Sequence, residues 1–187
     1  MPQRDPQKVT EAARISSSWL GWSHKPSVTE VRRAALLAWE DYLTSVKCMD
    51  IRNMDLSDID SDHMKKLTSI VTYRVWMYNL TPASQVGGIL ATVKSERLWL
   101  VNMKLSEAHT RALVTAMRDR VERVVLVHVT LDIEALCEYQ GRGRCRVLKV
   151  VWWNTVSRHR ARLRQWAAQA GWTVTRDDKW ELVMVRK

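Results

Sequence analysis

Residues 97–117 read Arg97-Leu98-Trp99-Leu100-Val101-Asn102-Met103-Lys104-Leu105-Ser106-Glu107-Ala108-His109-Thr110-Arg111-Ala112-Leu113-Val114-Thr115-Ala116-Met117. Two hydrophobic periods meet in this stretch. Leu98 and Leu100 stand two apart, the spacing that puts alternate side chains on one face of a strand. Met103 and Leu105 follow, and Ser106 reads as a helix N-cap, because its hydroxyl can accept from a first-turn backbone N–H. Beyond it Ala108, Leu113, Met117 and Val121 recur at helical spacing. One short strand and one helix cannot bury their apolar sides alone, so such a unit needs neighbours of its own kind.

The chain supplies them. Met49 and Ile51 correspond to Leu98 and Leu100, and Asn53-Met54-Asp55-Leu56-Ser57 corresponds to Asn102-Met103-Lys104-Leu105-Ser106. Ile59, Met64, Leu67 and Val71 then follow at helical spacing. A third copy has Val75, Met77, Asn79 and Leu80, with Val86, Ile89, Leu90 and Val93 in its helix. A fourth has Val124, Leu126, His128 and Val129, then Asp132, Ile133 and Leu136. A fifth, looser copy starts at Leu148 and Val150 and runs into a helix around Arg158 to Gln169. Asn53, Asn79, Asn102, His128 and Trp152 share one column, spaced by 26, 23, 26 and 24 residues. Connections of this length suit parallel strands joined through helices.

The ends of the array differ from its middle. Ser27-Val28-Thr29-Glu30 is a capping box, and Val31, Ala34, Ala35, Ala38, Trp39, Tyr42, Leu43 and Val46 line one helical face. Residues 27–46 are therefore expected to form an N-terminal cap helix. Trp172 to Thr175 and Trp180 to Val185 flank Arg176-Asp177-Asp178-Lys179, which predicts a terminal β-hairpin over 171–187 that closes the sheet edge. Residues 1–26 lack periodicity and are expected to be a flexible segment, with Trp19, Leu20 and Trp22 available to dock on the core.

The repeat resembles a leucine-rich repeat of the ribonuclease-inhibitor type, as found in NLR-family receptors. That family runs L-x-L-x-x-N/C-x-L, then a small polar residue, then a helix patterned A-x-x-x-x-L-x-x-x-L. Leu98 to Met117 follow it nearly position for position, and the likeness extends over residues 47–170. Here the family's Asn/Cys column holds Met54, Leu80, Met103 and Val129, so apolar filling replaces a polar ladder. The resemblance implies an α/β fold: a short curved solenoid, or horseshoe segment, of about five irregular repeats with parallel strands between the two caps, one domain over 27–187. It also implies ligand sensing or scaffolding in an innate-immune receptor or adaptor.

In such an array the residues between the apolar strand positions face outward. They are Asp50 and Arg52, Trp76 and Tyr78, Trp99 and Val101, Val125 and Val127, Lys149 and Val151. Trp, Tyr and Arg are the residue types that dominate binding hot spots. Arg52, Trp76, Tyr78, Trp99, Val101, Val125 and Lys149 are therefore the expected partner-binding residues.

Charge is distributed unevenly. The chain has 30 Lys and Arg against 20 Asp and Glu, a net of +10. Residues 1–140 contribute 18 and 17, a net of +1, whereas residues 141–187 contribute 12 and 3, a net of +9. Arg142 and Arg144, with Arg158, Arg160, Arg162 and Arg164, form the alternative site, one for nucleic acid or another polyanion. Leu163, Trp166, Ala167 and Ala170 would be the buried stripe of their helix.

Several classes of chemistry have no motif here. The sequence contains no nucleophile elbow, P-loop, HExxH or paired-Cys pattern. Gly87-Gly88 lacks the Lys-Ser/Thr of a phosphate loop, and Gly141-Arg142-Gly143-Arg144 reads as a tight basic turn. The five histidines are scattered, and His128 occupies the column where other repeats have Asn, which points to a structural hydrogen bond. Asp55, Asp58, Asp60 and Asp62 lack the Gly and closing Glu of a calcium loop. Cys48, Cys137 and Cys145 are odd in number and lie at no metal-ligand spacing with His. No apolar run reaches the roughly 18 residues a membrane helix needs. The expectation is a non-enzyme with no metal or cofactor, a protein partner and no membrane, in a reducing compartment, the cytoplasm.

Overall fold

Asn53, Asn79, Asn102 and His128 all take a left-handed backbone, with φ between 48° and 53°. Each stands immediately after a strand: Ser45–Arg52 (β1), Val71–Tyr78 (β2), Ser95–Val101 (β3) and Arg123–Val127 (β4). Asn and His are among the few residues with a side chain that accept this conformation readily. The sequence column is thus a backbone feature, a turn that leaves each strand in the same way. The next residues, Met54, Leu80, Met103 and Val129, are all buried.

The computed structural model describes residues 4–19, 26–81, 83–151 and 157–186. It divides into two compact units, Met1–Ser95 and Glu96–Lys187. Both are α/β, and their strands are mostly parallel.

The first unit runs α1 (Pro6–Ser18), α2 (Val28–Trp39), β1, α3 (Ser61–Ser69), β2 and α4 (Ala83–Thr92). β1 and β2 are parallel, with Met49 beside Val75 and Ile51 beside Met77. These four side chains are at most 1% exposed, and each such burial is worth about 1.5–3 kcal/mol. The strands stay joined past the turn, where the Leu56 amide donates to Thr81 O at 2.7 Å. Between α3 and α4 the buried Thr68 hydroxyl meets that of Thr92 at 2.8 Å.

Within the segment expected to be flexible, Pro6–Ser18 form α1. Asp5 caps α1 by accepting from the Gln7 amide, and Ala12, Ile15 and Trp19 are buried. Lys8–Glu40 and Arg33–Glu11 ion pairs, at 2.6 and 2.7 Å, fasten the helix. The Cys48 amide of β1 donates to Trp19 O at 3.2 Å. Only Ala12 and Ile15 of its 13 residues are buried, too few apolar positions to stand out as a period. Leu20 and Trp22 lie outside the described residues. The capping box of α2 forms as read, with Ser27 and Glu30 exchanging hydrogen bonds. That helix ends at Trp39, which is 51% exposed, and Val46 belongs to β1.

The second unit runs β3, α5 (Glu107–Asp119), β4, α6 (Ile133–Cys137), β5 (Val147–Val151), α7 (Ser157–Gln169), β6 (Thr173–Asp177) and β7 (Glu181–Val185). β3, β4 and β5 are parallel neighbours; β7 joins β5 antiparallel and β6 joins β7 antiparallel. Leu98, Leu100, Val124, Leu126, Leu148, Val150, Leu182 and Met184 face inward and are at most 3% exposed. Tyr139, Trp166 and Trp172 pack with ring centroids 6.2–6.5 Å apart, and the Trp166 indole donates to Tyr139 O at 2.9 Å. The basic turn packs tightly here: Gly141 has φ +70°, and a Cβ on it would lie 2.0 Å from Ala170 O. Two sequence assignments shift by register. Val71 opens β2 and is 68% exposed, and Ala108 is an exposed residue of α5.

Candidate functional site

The alternation leaves rows of strand residues outside the core in each unit. In unit 1, Asp50 stands beside Trp76 and Arg52 beside Tyr78. Arg52 turns back along its own strand. Its Nε donates to Asp50 Oδ1 at 2.6 Å, and its guanidinium lies 4.8 Å from the centre of the Trp76 ring. The hydrogen bond to Asp50 holds the Arg52 pKa above its ordinary value. Cation, carboxylate and aromatic ring thus satisfy one another. Arg52, Trp76 and Tyr78 are all half-buried.

Unit 2 carries the other four expected residues. Across β3, β4, β5, β7 and β6 one outward row reads Trp99, Val125, Lys149, Val183 and Arg176. The row on one side of it reads Arg97, Arg123, Val147, Val185 and Thr173. On the other side lie Val101, Val127, Val151 and Glu181. Trp99, Val101 and Lys149 are half-buried; Val125 is only 7% exposed and belongs to the floor of the face.

A shallow groove of about 380 Å³ opens on this face. Val125, Val147, Val183 and Val185 give it an aliphatic lining, with Thr175 beside them, and Arg123, Lys149, Arg176 and Glu181 bring its charge. Lys149 pairs with Glu181, and Arg176 Nε reaches Glu181 Oε1 at 2.7 Å and Asp178 Oδ2 at 2.8 Å. Asp178 also accepts from the Trp180 and Glu181 amides, which holds its pKa down at about 2 and fixes the hairpin turn.

Of these residues, sequence reading named Val125 and Lys149 and missed the rest. Val183, Val185 and Glu181 alternate with Leu182 and Met184 in plain sight. Their partners became known only with the register of β7 against β5. Arg176 faces the groove through an irregularity in β6 between Val174 and Arg176, which no sequence period announces.

The arginines of the alternative site do not make one row. Arg160 and Arg164 both pair with Asp177 of β6, Arg162 pairs with Glu134 of α6 at 2.9 Å, and Arg144 pairs with Glu122 at 3.1 Å. Arg142 is exposed in the basic turn, and the side chain of Arg158 lies outside the described residues, as do Trp152 and Trp153. Three carboxylates, Asp177, Glu134 and Glu122, therefore answer four of the six cations.

Burial pushes the Cys145 thiol up to about 12 and raises that of Cys137, which removes nucleophilic thiolate at neutral pH. Among the described residues, no group of three or more His, Cys, Asp and Glu could hold a metal ion. Among them, too, no helix is long and apolar enough to cross a membrane. No family model, curated protein or solved structure matches the chain.

Proposed function

We propose that the chain is a non-catalytic protein-interaction module that binds its partner through the outward strand residues. The observation that carries this reading is the groove of unit 2, where four valines lie among cations on a sheet face. Aliphatic area edged by charge is the usual make-up of an interaction patch, with the apolar part supplying affinity and the charges orientation. The four left-handed turns and the buried apolar column after them support a leucine-rich-repeat-like solenoid segment as the scaffold. Innate-immune sensing or scaffolding follows from that resemblance alone and comes with it as part of the proposal.

The test is affinity purification with mass spectrometry. Wild type is compared with a Trp76→Ala/Trp99→Ala double variant and with Val183→Asp, each checked for a native circular dichroism spectrum. Partners captured by wild type and lost from the variants are expected. An identical set of captured proteins from folded variants overturns the reading. Capture that depends instead on Arg142, Arg144, Arg160, Arg162 and Arg164, falls steeply with salt and yields nucleic acid would install the polyanion alternative.

A further inference from the structure

The groove has a chemical bias that selects its occupant. Three cations, Arg123, Lys149 and Arg176, line it against one carboxylate, Glu181. The Glu181 side chain is only 12% exposed, and both Lys149 and Arg176 close on it. This is a carboxylate-binding arrangement already occupied by a residue of the chain itself. Arg123, on the groove's margin, is exposed. The whole second unit, residues 96–187, carries 18 Lys and Arg against 10 Asp and Glu.

The floor then separates the classes of anion. It is built by Val125, Val147, Val183 and Val185, and none of the described lining residues is aromatic. A single nucleic-acid strand gains affinity from rings on which its bases stack, and this floor offers it only phosphate contacts. Aliphatic side chains of a peptide need only the valines. A second copy of the chain would bring two cationic rims together. An extended peptide projects alternate side chains to opposite sides. Aliphatic residues at every second position would rest on the valines, while acidic residues between them meet the cations, whose long stems lift the charge above the floor.

The geometry points to an extended segment of alternating acidic and aliphatic residues, belonging to a protein partner, as the ligand of this groove. The inference rests on the protein-interaction reading and narrows it. Glu181 is the internal competitor that such a ligand displaces from Lys149 and Arg176.

Fluorescence anisotropy with the full chain tests it. The probes are a short labelled peptide of alternating glutamate and valine, its glutamine–valine counterpart, and an oligodeoxythymidine strand. The acidic peptide is expected to bind about tenfold or more tightly than the neutral one, the scale of a charge-assisted contact. Arg123→Gln with Arg176→Gln should weaken it by a similar factor while leaving the melting temperature near wild type, since both side chains are on the surface. Glu181→Gln should strengthen it severalfold. Equal affinity for the two peptides, binding of neither, or an oligonucleotide that binds better through the same arginines each overturns the inference. The two readings also fail separately. Partner capture that survives Arg123→Gln/Arg176→Gln but is lost in Val183→Asp removes the acidic ligand and keeps the interaction surface. Capture that survives both removes both.

Discussion

In unit 1 the outward row closes on itself: Asp50 and Arg52 stand two apart on β1, and the guanidinium between them lies on Trp76. In unit 2 the corresponding row carries Lys149 on β5, with its carboxylate arriving from β7 as Glu181. That carboxylate is shared with Arg176, while Arg97 and Arg123 stand side by side at the row's margin. The same alternation thus produces one face whose cation is answered within its own strand and another whose cations are answered from neighbouring strands and the hairpin turn. Alternation decides which residues leave the core. Whether those residues are then satisfied depends on what the neighbouring strands bring, and in unit 2 the neighbours include a hairpin outside the repeats.

The contrast is confined to the outer faces, and the inner faces should respond alike. Met77→Ala in unit 1 and Leu100→Ala in unit 2 each empty a fully buried strand position, and each should cost about 2–5 kcal/mol in urea denaturation. A cost near zero in one unit would mean that its strand face is not a core at all. Arg123→Gln/Arg176→Gln should stay within about 0.5 kcal/mol in the same experiment, as a binding feature and not a folding one.

A smaller effect tests whether the two units share their strand exits. Asn53 and Asn102 hold φ of 48° and 51°, so Asn→Ala at either should cost about 1 kcal/mol, while Asn→Gly should be close to neutral. In unit 1 the Asn79 side chain also donates to Asn53 Oδ1 at 3.2 Å, so Asn53 should be the more sensitive of the two. Thermal unfolding of the four single variants decides it.

The smallest effect concerns the hairpin that sets unit 2 apart. Asp178 is depressed from 3.8 to about 2 by the Trp180 amide, the Arg176 guanidinium and the Glu181 amide. A depressed carboxyl supports the fold above its unfolded pKa and loses that support as pH falls through the folded value. The contribution of Asp178 should therefore be complete above pH 4 and disappear towards pH 2. The Trp180 amide resonance in an NMR titration should move with a midpoint near 2 and not near 3.8. A midpoint at the ordinary value would mean that the turn is not held by Asp178.

Much of the scaffold can be read from residues alone, because apolar spacing is a local property. Leu98 and Leu100, Met49 and Ile51, and Val124 and Leu126 announce their strands two residues at a time. Ser27 and Ser106 announce their helices through one hydroxyl each. The column of Asn53, Asn79, Asn102 and His128 is visible as a repeat, although its meaning as a left-handed turn needed the backbone. α1 has too few apolar positions to announce itself, and its order depends on Ile15 and Trp19 finding buried places.

The site is another matter. Sequence by itself determined which strand residues point away from the core, and so picked out Trp99, Val125 and Lys149. Only the tertiary structure decided that Arg52 is consumed by Asp50 and Trp76, that Arg160 and Arg164 are drawn to Asp177, and that Glu181 and Arg176 come to lie beside Lys149. The physical reason is range. Core formation follows from periods of two and about four residues within one element. Charge satisfaction follows from strand register and hairpin geometry, which join residues far apart in the chain and leave no trace in local spacing.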